Sequence, residues 1–391
     1  MRGLGLLVCV GLAIFGVPGS AQAQDSIKVG VLTELSGPLG TLGMAERDGF
    51  LLYLKKASGK LGGLTVETVV EDTGNDPATA LVKARKLLDS DKIDVLLGPM
   101  SSASAAAIKT FVSGRNVPSL VQATVDEVSD NKSMFRTTFP ASADSFLQGY
   151  LAGKAGFKKA TAIAPNFNAG QDAVTWFEKG FEAAGGKVVQ KLLPRLGTPD
   201  FGSYIAQIDE SADVGLVFMA GGDAVRFIKQ FADYGKKLPL YGFTATVDEA
   251  ILPAQDKAAL GFVGASYYFS TIDTPENRAF VKEWEAAHKA KPIWQGVSGY
   301  VMGQVLDAAL GQSAGKLSDK SALFAAMKQV KLTTPAGAFR FSEKNEPIQP
   351  RYISQVREVN GIIQPVVLGT IPEFIPEPKP PQLPAGLVLP K

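Results

Sequence analysis

Three serines within four residues, Ser101, Ser102 and Ser104, follow the apolar run 93–97 and the strand-breaking pair Gly98-Pro99, and precede the helix-forming run 105–108. A strand, a serine-rich turn and a helix start place hydroxyls and unpaired backbone N–H groups together at the carboxyl edge of a sheet. The positive end of the helix dipole points at the same spot, so the chemistry on offer is the binding of an anion such as a carboxylate. An ordinary capped helix in a βα unit carries the same signature, and the rest of the chain has to decide between the two.

Catalytic alternatives find little material. His288 is the only histidine and lies at the polar end of a predicted helix beside Lys289 and Lys291, where an imidazolium is stabilised without further role. Cys9 is the only cysteine. Ser-His-Asp and Cys-His arrangements and histidine or thiolate metal sites are therefore not expected, nor is a cofactor. Gly37, Gly40 and Gly43 do not match a dinucleotide fingerprint, and no lysine-containing phosphate loop occurs. A net charge of +2 with no basic run gives no reason to expect nucleic acid.

The N-terminus reads as an export signal. Arg2 precedes an apolar run over 4–17, Pro18-Gly19-Ser20 breaks it, and Ala21-Gln22-Ala23 offers small residues at a peptidase site, so residues 1–23 are expected to be removed after Ala23 and the mature chain to reach the periplasm. Cys9 leaves with that segment. The remaining length favours two domains.

Strands alternate with helices at the spacing of parallel, doubly wound sheets. Strands are predicted at 27–32, 65–71, 93–97 and 117–122, with helices at 44–57, after Asp76-Pro77 and from 105. The pattern restarts beyond Pro140, with strands at 160–164, 188–193, 214–219 and 238–243. Helices follow from Thr274-Pro275, over 297–310 and over 318–330, then a hairpin turns at Asn360-Gly361. The fold class is α/β with two lobes, and small polar loops recur at the carboxyl ends of the strands, the edge that binds ligands in such sheets. One lobe contributes the loop 39–43 with Leu42, the turn 100–104 with Met100, and Gln122-Ala123-Thr124. The other contributes Phe167, Asn168 and Ala169, then Gly221-Gly222-Asp223, then Thr244-Ala245-Thr246.

The export signal, Ile27-Lys28-Val29-Gly30-Val31 with Leu35-Ser36-Gly37-Pro38, the 98–104 turn, Asp200-Phe201 and Ala338-Phe339-Arg340-Phe341 together resemble the periplasmic solute-binding proteins of branched-chain amino-acid-type ABC transporters. The resemblance implies a type I periplasmic binding fold: lobe 1 from 24–138 plus 270–342, lobe 2 from 139–269 plus 343–371, and a Pro-rich tail over 372–391. Three hinge crossovers are expected near 135–142, 262–271 and 340–350. It also implies a monomer that closes on a small molecule and delivers it to an inner-membrane ABC permease, or signals its presence to a membrane receptor.

Members that bind amino acids hold the ligand carboxylate on first-lobe hydroxyls and amides, which correspond here to Ser101 or Ser102 with Ala123 and Thr124. The family's acidic partner for the ammonium corresponds to Thr244, its strand-end tyrosine to Ala169, and its first-loop indole to Leu42. With the acid missing, a buried ammonium is costly. The expected ligand is a larger carboxylate, an aromatic acid of the benzoate or phenylpropanoid type. Phe167, Phe243, Tyr267, Tyr268 and Trp294 are candidates for the walls, and Asn168 or Thr244 for meeting a distal hydroxyl. Asp223 is either a helix-capping residue or a substitute acid that restores binding of a branched-chain amino acid or amide.

Overall fold

The computed structural model describes residues 26–129, 131–313, 317 and 319–391. The export signal with Cys9 and the Ala23 junction lies outside the described residues, as does residue 318, expected to open a helix. No helix among the described residues is long and apolar enough to cross a membrane.

The chain runs β1 Ser26–Thr33, α1 Gly40–Lys56, β2 Lys60–Leu61, β3 Leu64–Asp72, α2 Pro77–Arg85, β4 Val95–Leu97, α3 Ser102–Arg115, β5 Ser119–Val121 and β6 Met134–Arg136. These strands form one six-stranded sheet in the order β2-β3-β1-β4-β5-β6, parallel except where the short β2 returns on β3. The chain continues through α4 Ala141–Lys154, β7 Lys159–Ile163, α5 Asn168–Ala183, β8 Lys187–Leu192, α6 Gly202–Ala206, β9 Val214–Val217, α7 Gly221–Asp233, β10 Leu240–Gly242, α8 Leu252–Gln255 and β11 Val263–Ser266. Next come α9 Pro275–His288, α10 Trp294–Gln312, α11 Lys320–Gln329, β12 Lys331–Thr334, β13 Gly337–Phe341, β14 Pro347–Val359 and β15 Ile362–Phe374. The second sheet runs β12-β13-β14-β11-β10-β9-β7-β8, with β15 on β14.

Each sheet has a point where strand order reverses: β1 is flanked by β3 and β4, and β7 by β8 and β9. A crevice opens outside the carboxyl ends at such a point. In the first sheet it lies between the β1–α1 and β4–α3 loops, the place of the serine turn.

Several elements begin earlier than apolar periodicity indicates. α1 starts at Gly40 rather than 44, α3 at Ser102 rather than 105, and α10 at Trp294 rather than 297. First turns are made by capping groups and small residues, which leave no apolar repeat to read. Met134–Arg136, expected to be connection, is the edge strand β6. β15 extends to Phe374, so the tail begins later than 372. Leu383, Leu387 and Leu389 from that tail pack against the second sheet's core, and the Tyr241 hydroxyl donates to the Pro390 carbonyl.

Two helix pairs clasp the sheets through close backbone contact. At Gly299 of α10, a Cβ would come 1.9 Å from the Glu46 carbonyl oxygen of α1; at Gly149 of α4, it would come 2.1 Å from the Phe177 carbonyl oxygen of α5. The chain passes between the sheets at β6–α4, at β11–α9 and on the way into β14. Phe139 and Tyr267 from the first two passages meet Arg351 of β14, with the guanidinium 5.7 Å and 5.8 Å from the two ring centroids. β12 and β13, expected with the first lobe, hydrogen-bond through β14 onto the second sheet, while Phe339 and Phe341 stay in the first core.

Candidate functional site

The serine turn is built on β1. Gly98 has φ +85°, and a Cβ there would come 2.1 Å from the Leu32 carbonyl oxygen, so only glycine lets the chain leave β4 this close to its neighbour. Ser101 is the N-cap of α3: its Oγ accepts the Ser104 N–H, and its own N–H donates to Glu34 Oε2 at 2.9 Å. Ser104 Oγ and Thr73 Oγ1 both donate to Glu34 Oε1 at 2.9 Å. The fully buried Glu34 carboxylate therefore fixes the turn from below, and Ser101 is committed to that framework. Buried Met100 precedes it.

Ser102 faces the other way. Its Oγ accepts the N–H groups of Thr124 at 3.3 Å and Val125 at 3.2 Å, and lies 3.5 Å from Thr124 Oγ1. Ser102 and Ala103 are the first residues of α3, and the first intrahelical bond is Ala105 N–H to the Ser101 carbonyl. Their N–H groups thus precede the helical hydrogen-bond ladder. Between the two sequence candidates, Ser102 carries the accessible hydroxyl.

The facing loop is held rigidly. Gln122 donates from Nε2 to the Gln295 carbonyl at 2.6 Å, and its carbonyl accepts from Thr138 Oγ1 at 2.8 Å. Buried Arg136 donates to the carbonyls of Ala123 and Val125, the latter at 3.0 Å, and forms a buried ion pair with Glu346 at 2.7 Å. Ala123 is fully buried.

Gln295 connects this seat to an aromatic wall. Trp294 lies 5.7 Å from Phe139 and 6.2 Å from Tyr267 between ring centroids, and its carbonyl accepts from the Tyr267 hydroxyl at 2.7 Å. Phe139 is 6.2 Å from Phe243, which stacks on Phe218 at 4.8 Å. Phe139 and Phe218 were not among the sequence candidates; their role comes from strand ends that meet only in the fold.

A narrow pocket of about 10 Å³ lies beside Trp294, lined also by Thr244, Asp248, Glu249, Tyr268 and Phe269. Thr244 and Tyr268 are buried, and the Tyr268 hydroxyl has no hydrogen-bond partner. The expectation that this side lacks an acid is corrected here: Asp248 and Glu249 follow Thr244 by four and five residues in the same loop. Burial pushes Asp248 up to about 6 and Glu249 up to about 7. Asp248 Oδ1 accepts the Ala250 N–H at 2.9 Å, and Glu249 accepts from both the N–H and the hydroxyl of Ser270. Two adjacent acids in the otherwise uncharged run 238–255, apart from Asp248 and Glu249 themselves, were the available sequence signal.

The other candidates lie apart from this pocket. Asp223, in the first turn of α7, accepts the Gly197 N–H at 2.8 Å and pairs with Arg226, so it is engaged in its own lobe rather than free as a substitute acid. Phe167 is 38% exposed ahead of α5; Asn168 opens that helix, and Ala169 and, in α7, Gly222 are exposed. Leu42 belongs to the first turn of α1 instead of a loop. A wider groove beside Lys236, Lys237 and Pro390 lies at the amino end of β10, opposite the site. Among the described residues no group of His, Cys, Asp and Glu is placed to hold a metal ion.

The model of the family described as periplasmic binding protein matches residues 26–361. A Leu/Ile/Val-binding protein homologue from Brucella melitensis is 29% identical over 360 residues, covering 89% of this chain and 92% of the relative. A solute-binding protein of an ABC transporter from R. palustris, solved in complex with benzoate, has a TM-score of 0.80 at 30% identity and covers 93% of this chain and 99% of its own. Another from R. palustris, in complex with 4-hydroxybenzoate, has a TM-score of 0.83 at 27% identity, covering 90% and 98%.

Proposed function

The chain belongs to the periplasmic binding protein family, with the type I fold of branched-chain amino-acid ABC systems, and on that premise we propose that it is an extracytoplasmic solute-binding component that captures an aromatic carboxylate. The observation that carries this reading is the juxtaposition of an uncharged anion seat at Ser102 and Thr124 with the aromatic wall of Phe139, Phe243, Tyr267 and Trp294. A carboxylate gains charge-assisted hydrogen bonds from hydroxyls and helix-start amides, and its ring gains apolar contact from the wall, which the Arg351 guanidinium backs at 5.7 Å from Phe139 and 5.8 Å from Tyr267. The benzoate and 4-hydroxybenzoate complexes of the two R. palustris neighbours support the same class.

In this reading 24–138 with 270–342 and 139–269 with 343–371 act as lobes that close on the ligand, and the closed form is presented to an inner-membrane permease. The export signal over 1–23 delivers the chain to the periplasm. A second reading, a branched-chain amino acid, is favoured by the Brucella relative and by Asp248 and Glu249, which offer carboxylates to an ammonium.

Thermal unfolding with benzoate, 4-hydroxybenzoate and leucine at equal concentration separates the two. A saturating ligand adds roughly 3 kcal/mol at a hundredfold excess over its Kd. The aromatic acids are expected to raise the midpoint above that with leucine; the reverse order overturns the aromatic reading.

A further inference from the structure

We propose that the pocket between Asp248, Tyr268 and Trp294 selects for a hydroxyl group on the aromatic acid, at the end of the ring opposite the carboxylate, with Asp248 accepting its hydrogen bond and Tyr268 donating one. The inference rests on the aromatic-acid reading and deepens it. Tyr268 is 3% exposed and its hydroxyl has no partner, although it lines the pocket together with the two acids. A buried hydroxyl without a partner costs free energy that a matching ligand group recovers. Asp248 commits Oδ1 to the Ala250 N–H, while no described residue donates to its Oδ2. Glu249 is the latch behind it, with both oxygens on Ser270.

A phenolic hydroxyl is both donor and acceptor, so one group satisfies Asp248 and Tyr268 together. A ring without it leaves both unpaired; a ring carrying a methyl or chlorine at that place also blocks water from them. Spacing adds a second argument. Ser102 and the pocket lie at the two ends of the path Gln122, Gln295 and Trp294, so a ligand touching both carries its polar groups apart from one another. An α-amino acid carries both on one carbon. A hydroxylated ring carries them across its length.

Isothermal titration of the intact mature protein with 4-hydroxybenzoate, benzoate, 4-chlorobenzoate and leucine tests this, alongside Asp248→Asn and Tyr268→Phe. The hydroxylated acid is expected to bind about ten- to a hundredfold tighter than the other two aromatic acids, the range of a hydrogen bond to a charged group. In both variants that ratio is expected to fall toward one. Benzoate binding as tightly as 4-hydroxybenzoate in the wild type overturns the inference and leaves the aromatic reading intact. Leucine binding without any aromatic acid overturns both. A wild-type ratio preserved in a variant that folds, as judged by circular dichroism, removes that residue from the assignment. If neither variant folds, the wild-type ratio decides alone.

Discussion

Ser102 does two things with one oxygen: it accepts two loop amides, and its proton, with only Thr124 Oγ1 at 3.5 Å as a neighbouring oxygen, can turn to a ligand carboxylate. Replacing it by alanine removes that donor and leaves the Thr124 and Val125 N–H groups without their acceptor. Ser102→Ala is expected to weaken an acid ligand by about 1.5–3 kcal/mol, read as a ten- to hundredfold rise in Kd by calorimetry. Unchanged affinity would place the seat elsewhere. The serine was legible because capping chemistry is local: hydroxyls, a strand break and a helix start within a few residues suffice. Which serine faces outward was not legible, since Glu34, 67 residues away, decides it by taking the Ser101 amide. Asp248 and Glu249 escaped for a related reason. A carboxylate in a loop reads as solvated until a distant segment such as Ser270 covers it.

At the scale of elements, α1 shows how a helix that supports the site stores a charge problem. It packs so closely on α10 that Gly299 and Gly49 carry no side chains between the backbones, and Glu46 is caught in this contact at 2% exposure. Thr33 donates to its Oε2, Oε1 has no partner, and Glu34 lies beside it with Tyr267 also within electrostatic reach. Burial pushes Glu46 up to about 8 from 4.5. The folded state then holds a proton that the unfolded chain releases, so stability is full below the unfolded value and is lost as pH rises toward 8. By pH 7 the loss is roughly 3 kcal/mol. Asp144, Asp248 and Glu249 are shifted the same way, so the wild-type slope is a sum. Glu46→Gln removes one contribution: the variant's unfolding midpoint should fall less steeply than the wild type's between pH 5 and 8, and parallel curves would refute the assignment. Elements themselves were readable wherever apolar residues repeat at 2 or 3.6. Their first turns were not, and neither was the Gly-mediated contact of α1 with α10, because an absent side chain leaves no periodic signal.

Over the whole molecule, the Arg136–Glu346 pair ties the ligand seat to the chain passages between the sheets. Its partners are 210 residues apart in sequence, and both side chains are almost fully buried. Arg136 belongs to β6, the last strand before the first passage; Glu346 lies immediately before β14, at the end of the third. The same guanidinium holds the carbonyls on either side of Thr124, and Ser129 Oγ donates to Glu346 Oε1 at 2.7 Å. Asn345 reinforces the bond between segments, donating to the Asn131 carbonyl at 2.9 Å and accepting the Arg136 N–H at 3.0 Å. No sequence pattern announces such a network, since each member alone is an unremarked surface-type residue. Glu346→Gln keeps the shape and removes the charge, leaving a buried guanidinium uncompensated. Losing one partner of a buried pair costs about 3–5 kcal/mol, a large part of a typical domain's stability, and urea unfolding should register it. The loop carrying Thr124 loses its anchor at the same time, so the affinity for an acid ligand should drop by about tenfold or more under conditions where the variant is still folded. A variant that loses stability but binds with wild-type affinity would confine the pair to folding. Loss of both together places it between seat and hinge, where a ligand's grip on Thr124 and the posture of the third passage share one guanidinium.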